Sequence, residues 1–278
     1  MLSQLGEEAR PLAGGQSLIP LMKLRLASPL HLVDLNFVPG CAYVKEENGT
    51  MCFGALTRHA AIEHSDVTAR IPILHDCAAG IADVQVRNRG TIGGSVAEAD
   101  PSGDWAVALM TLATEIRCAG NNGERNLRLA DFVKDAYTTV LAPDELVKEI
   151  TVKIPPKGSG GAYLALKRSA PVYATASAAV QLTMDGEVCR QAAIALGCVG
   201  LTPIRVKDAE AALRGQVINE KTLAMAMEAA RAAADPQSDM RGSAEYKRTL
   251  VAGLVNRAVD IAMRRARGEQ VEVSPIYA

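Results

Sequence analysis

Two short segments, Ala13-Gly14-Gly15-Gln16-Ser17 and Thr91-Ile92-Gly93-Gly94-Ser95, bring together the residue types that can hold a phosphate group. In each, a glycine pair is followed within two residues by a serine, between an apolar stretch and an expected helix. Paired glycines allow positive φ and let bare amides approach a ligand. A run of such amides makes a concave anion site that suits a pyrophosphate. Two of these loops can hold the two phosphates of a dinucleotide from opposite sides, with Ser and Thr hydroxyls adding hydrogen bonds. Neither segment is G-x-G-x-x-G or G-x-x-x-x-G-K-[ST], so the two common phosphate-loop fingerprints do not apply. An ordinary turn is the competing use of a Gly-Gly pair.

The elements around these segments read as α/β in the N-terminal part. A short helix over 20–26 follows the first loop, and 30–35 reads as a strand. Asn48-Gly49 marks a hairpin between two further strands. Thr57 is expected to cap a helix running to about residue 62. Pro72 suits the first turn of another helix, whose apolar stripe is Ile73, Leu74, Cys77, Ala78 and Ile81. After the second segment come a buried helix over 104–112, a strand over 115–119 with a turn at 120–123, and a strand over 146–154. The Pro- and Gly-rich stretch 155–161 is the expected domain boundary. Beyond it, strands at 162–167, 174–184 and 192–197 precede helices at 207–214, 220–233 and 243–267, the order of an α+β domain. The basic cluster Arg264-Arg265-Arg267 is expected to complement the dipole of the last helix.

Composition narrows the class. A chain of 278 residues has room for about two domains. A net charge of −1 offers no basic excess to neutralise nucleic-acid phosphates. No apolar run has the length of a membrane-spanning helix, and the N-terminus lacks the pattern of a signal peptide, so a cytoplasmic location is expected. Six cysteines are scattered without a C-x-x-C, which offers no iron–sulfur or zinc framework, and a disulfide set is not expected in the cytoplasm. The four histidines include no i, i+4 pair and are expected to be structural or surface residues.

The context of the two segments narrows it further. The first sits in Pro11-Leu12-Ala13-Gly14-Gly15-Gln16-Ser17-Leu18-Ile19-Pro20, and the second in Gln85-Val86-Arg87-Asn88-Arg89-Gly90-Thr91-Ile92-Gly93-Gly94-Ser95. Downstream lie Asp100-Pro101-Ser102-Gly103-Asp104, Lys167-Arg168 before an Ala-rich strand, and Arg241-Gly242-Ser243-Ala244-Glu245-Tyr246-Lys247-Arg248 preceded by Asp239. In this order the motifs closely resemble the FAD-binding medium subunit of the molybdenum hydroxylases, the xanthine dehydrogenase and carbon monoxide dehydrogenase family. The resemblance covers nearly the whole chain. It implies an α+β architecture: a PCMH-type FAD-binding domain over 1–157, with α/β subdomains of about 1–55 and 56–157. A C-terminal domain with a small antiparallel sheet and helices follows over 158–278. The family usually has a further strand and helix start before the first loop, where this sequence has about a dozen residues; if that strand is absent, the N-terminal sheet loses an edge.

The resemblance also implies FAD, held by Ala13, Gly14, Gly15, Gln16, Ser17, Leu18, Ile19 and Pro20 on one side and by Thr91, Ile92, Gly93, Gly94 and Ser95 on the other. Asp104 matches an acidic position that contacts the nucleotide portion, although it can also cap its own helix. Ile81, Ile150 and Lys167 fall near positions that line the flavin. Because the isoalloxazine performs the electron transfer, no catalytic acid, base or nucleophile is assigned. The expected partners are a small subunit with two [2Fe-2S] clusters and a large molybdopterin subunit that chooses the substrate, assembled as a dimer of heterotrimers. Two other readings stay open. One is a self-sufficient FAD-dependent oxidase or dehydrogenase, which needs its own substrate pocket. The other is a non-enzymatic assembly protein, against which the intact glycines of both loops argue.

Overall fold

The computed structural model describes residues 1–169 and 172–273. Near the N-terminus the strands Ala9–Leu12 and His31–Asp34 pair in parallel. The helix Leu18–Lys23 connects them, earlier than expected, because Pro20 is tolerated within its first turn. The first glycine loop therefore runs straight from a strand end into a helix start.

A five-stranded antiparallel sheet forms the next layer. Its order is Val44–Glu47, Thr50–Gly54, Leu146–Lys153, Thr114–Gly120, Gly123–Arg128. The expected Asn-Gly hairpin is present: Glu47 pairs with Thr50, and Asn48 and Gly49 turn at φ 50° and 73°. This hairpin pairs with Leu146–Lys153, so one sheet spans the division expected near residue 55. The helices His59–Glu63, Pro72–Gly80, Val84–Arg89, Ile92–Glu98 and Asp104–Met110 also belong to this part of the chain. Trp105, Phe53, Phe132, Ile116 and Ile150 are fully buried in the shared core. Pro72 does open its helix. Thr57 does not cap one: its hydroxyl donates to the Tyr43 carbonyl (2.8 Å) and accepts from the Tyr43 amide (3.0 Å). With that side chain committed to the neighbouring strand, Arg58 becomes the residue before the helix.

A second antiparallel sheet runs in the order Ser159–Leu166, Ala176–Asp185, Val188–Gly197, Ile204–Arg205. The helices Lys207–Leu213, Glu220–Ala233 and Ala244–Ala266 pack on it around a core rich in alanine and valine. The first of these strands begins inside the 155–161 stretch. Arg265 departs from its expected role at the helix end. It is 7% exposed and grips Asp76 through two bonds, 2.6 and 2.9 Å, while also donating to the Gly161 carbonyl at 2.7 Å. Arg264, by contrast, pairs with Glu269. The Asp76–Arg265 pair ties the helix Pro72–Gly80 to the second sheet, and Lys167 adds a bond from its Nζ to the Gly80 carbonyl.

Candidate cofactor cleft

The first loop is built as the sequence suggests. Gly15 lies at φ 73°, a conformation that a side chain makes costly. A Cβ on Gly14 would stand 2.4 Å from the Arg89 carbonyl oxygen and 2.7 Å from Gly90 Cα, so the two segments touch directly. None of the amides from Gly14 to Leu18 donates to an acceptor among the described residues. Consecutive unpaired amides beside a helix start form an anion-binding concavity.

The second segment is built differently, and the expectation of a matching amide cradle there is corrected. Thr91 caps the helix Ile92–Glu98, its Oγ1 accepting from the Gly94 amide at 3.1 Å. The amides of Ile92, Gly93 and Ser95 donate to Thr57, Ala55 and Thr91 carbonyls at 3.0, 2.9 and 3.0 Å. Its glycines therefore serve close approach rather than positive φ. A Cβ on Gly93 would lie 2.5 Å from the Ala55 Cβ, so this glycine seats the helix on the strand side of the core. Gly94 and Ser95 remain half-buried and face the first loop, Ala13 Cβ being 3.8 Å from where a Gly94 Cβ would sit.

Between the two segments lies a cleft of about 610 Å³. Of the residues expected in the site, Ala13, Gly14, Gly15, Gln16, Ser17, Leu18, Pro20, Ile81, Thr91, Gly93, Gly94, Ser95, Asp104 and Lys167 line it. Three do not. Ile19 turns back over Gly15 and is 39% exposed. Ile92 is fully buried where its helix packs on the core. Ile150 is also fully buried, paired between Phe53 and Ile116; Leu146 and Val147, beyond an irregularity in the pairing with Thr114–Gly120, line the cleft instead.

Asp104 and Lys167 bring buried polar groups to the lining. Asp104 sits in the first turn of Asp104–Met110, where Gly103 holds the cap position, so the carboxylate does not cap its own helix. Its Oδ1 accepts from the Tyr163 hydroxyl at 2.6 Å. Burial pushes the Asp104 carboxyl up, and nearby Lys167 opposes the shift. Sequence reasoning missed His59, Ala82 and Tyr173 as lining residues. His59 is 4% exposed, and its Nδ1 accepts from Trp105 Nε1 at 3.0 Å. Burial, aided by Arg58 and Arg87, lowers its pKa to about 3, so the ring is neutral and its proton sits on Nε2. Ala82 adopts φ 40° immediately after Ile81. Tyr173 lies beneath the Arg241 guanidinium, 5.9 Å from ring centre to Cζ. Arg241 in turn donates to Ser102 Oγ and the Ala174 carbonyl, each at 3.2 Å. The C-terminal Arg241–Arg248 motif thus helps build the cleft mouth, with Lys247 holding Asp239 at 2.9 Å behind it.

Residues 1–156 match the family model described as the FAD binding domain in molybdopterin dehydrogenase, and residues 161–262 match the CO dehydrogenase flavoprotein C-terminal domain. The chain belongs to the FAD-binding subunits of the molybdopterin dehydrogenases. It is 41% identical to the carbon monoxide dehydrogenase medium chain of Afipia carboxidovorans, across 96% of this chain and 93% of that one. It is 37% identical to subunit alpha of the 6-hydroxypseudooxynicotine dehydrogenase complex of Paenarthrobacter nicotinovorans, across 96% and 91%. Carbon monoxide dehydrogenase from Hydrogenophaga pseudoflava superimposes with a TM-score of 0.93 at 40% identity, covering 95% of this chain and 92% of that chain. This molybdopterin dehydrogenase subunit is accordingly a flavoprotein component of a multi-subunit oxidoreductase, and FAD is its cofactor. The free amides of the first loop fit the diphosphate of that cofactor. None of the described helices is long and apolar enough to cross a membrane.

Proposed function

We propose that the chain is the electron-exit station of a heterotrimeric molybdenum hydroxylase. Bound FAD supplies the redox chemistry, relaying electrons from two [2Fe-2S] clusters of a small partner subunit to an external acceptor. A large partner subunit carries the molybdopterin and hydroxylates the substrate, and two heterotrimers associate in the cytoplasm. The FAD-binding PCMH-type domain spans 1–157 and the C-terminal domain 158–278.

Within this chain the hydrogen bonds and the cleft lining support a division of labour. The unpaired amides between Gly14 and Leu18 bind the diphosphate, while Gly94 and Ser95 form the facing wall. Asp104 keeps Oδ2 for a ligand hydroxyl or N–H after Oδ1 is taken by Tyr163. Ile81 and Lys167 flank the flavin, and Leu146 and Val147 take the place expected of Ile150. The observation that carries the reading is the row of unbonded first-loop amides facing a cleft, in a chain whose relatives align along nearly their full length.

Native mass spectrometry with metal analysis of the complex isolated from its natural host tests it. The expected result is this chain with FAD, together with one polypeptide bearing iron and one bearing molybdenum. A lone chain that oxidises an organic substrate would establish the self-sufficient flavoenzyme instead. A colourless chain that takes up no flavin would leave the assembly role.

A further inference from the structure

Outside the cleft, a chain of side-chain bonds links the backbone of the first loop to that of the second segment. Asn36 follows the strand His31–Asp34, and its Nδ2 donates to the Ala13 carbonyl at 3.0 Å. Its Oδ1 accepts from Arg58 Nη2 at 2.6 Å, and Arg58 Nη1 donates to the Arg89 carbonyl, one residue before Gly90. Asp34 Oδ1 accepts from both the Asn36 amide (2.9 Å) and Nδ2 (2.6 Å), fixing the side chain at its root. The chemistry leaves one orientation for the Asn36 amide group. Arginine only donates, so the atom facing it is oxygen, and the carbonyl and carboxylate on the other side require the NH2. Neither Asn36 nor Arg58 lines the cleft.

A peptide unit is planar and trans, so its C=O and the following N–H point in opposite directions. Holding the Ala13 carbonyl toward Asn36 therefore turns the Gly14 N–H away from Asn36. Holding the Arg89 carbonyl fixes the backbone against which Gly14 packs. We propose that Asn36 and Arg58 are positioning residues: together they set the tilt of the Ala13–Gly14 peptide and its spacing from the second segment, and so tune the grip on the FAD diphosphate without touching it. This rests on the assignment of the cleft to FAD.

The test uses the full chain stripped of flavin, titrated calorimetrically with FAD, alongside the melting temperature of the flavin-free protein. Asn36→Asp keeps an acceptor for Arg58 and removes the NH2 that donates to both Ala13 and Asp34, while Arg58→Ala cuts the link to Arg89. Each is expected to weaken FAD binding about tenfold, the size of one lost polar bond, with the flavin-free melting temperature unchanged. The double variant is expected to lose no more than the larger single loss, because both cut one chain of bonds. Millimolar guanidinium is expected to restore binding in Arg58→Ala. Unaltered FAD affinity in both variants overturns the brace. So does a loss matched by a fall in melting temperature that guanidinium does not reverse. A parent chain that takes up no FAD removes the cofactor assignment, and the brace with it.

Discussion

At Gly15 a single added methyl group tests the first loop. With φ at 73°, Gly15→Ala costs about 1 kcal/mol or more in backbone strain and tilts the amides on either side. We expect FAD affinity to fall by about tenfold or more, read by flavin titration, while denaturant unfolding shows only that modest loss. Gly93→Val is expected to fail differently. Its side chain would enter the space held by Ala55, so the yield of folded protein drops before flavin binding can be assayed. The two glycine pairs look alike in sequence, and that likeness hid their different roles. Hydrogen-bond accounting separates them: the first loop's amides are unspent, while those of the second are consumed by Thr57, Ala55 and Thr91. His59 was equally invisible, since nothing local reveals that Trp105 will hold its Nδ1. The neutral ring has a consequence for pH. With a folded pKa near 3 against 6.5 unfolded, the unfolded chain binds the extra proton between those values, so stability falls as the solution is acidified below 6.5. At pH 5 this one group removes about 2 kcal/mol relative to neutral pH. His59→Asn, which keeps an acceptor for Trp105, is expected to flatten that part of the pH–stability curve, and an unchanged curve would contradict the assignment.

Among the elements, local signals were readable and distant pairings were not. Asn48-Gly49 announces its hairpin because positive φ at two adjacent positions is a property of those residues alone. The helix Glu220–Ala233 matches its expected bounds because Asn219 caps it through a reciprocal bond with Thr222. Nothing in the run 146–153 tells that it will insert between Thr50–Gly54 and Thr114–Gly120, where Ile150, named for the site on the family resemblance, is fully buried. Arg265 and Asp76 lie 189 residues apart, so a basic cluster at a helix end concealed a buried ion pair. Breaking it should be costly. Asp76→Asn leaves a buried guanidinium without its countercharge, and we expect a loss of about 3–5 kcal/mol in denaturant unfolding. The double replacement Asp76→Leu with Arg265→Met is expected to recover much of that loss, because it removes both buried charges together. A single variant as stable as the parent would show that the pair does not hold the helix Pro72–Gly80 to the second sheet.

For the whole molecule, the cleft depends on both sheets. The first contributes the wall at Leu146 and Val147, the second contributes Lys167 and the Tyr173 rim held by Arg241. Arg241→Ala is expected to loosen that rim and to speed FAD release several-fold, measured as flavin fluorescence regained on dilution, since it removes the bonds to Ser102 and Ala174. An unchanged release rate would separate the C-terminal motif from the cofactor. The most direct measurement is a crystal structure of the chain with FAD bound. Diphosphate oxygens are expected about 3 Å from amides between Gly14 and Leu18, with Gly94 and Ser95 opposite. A diphosphate seated elsewhere, with those amides turned to solvent, would contradict it.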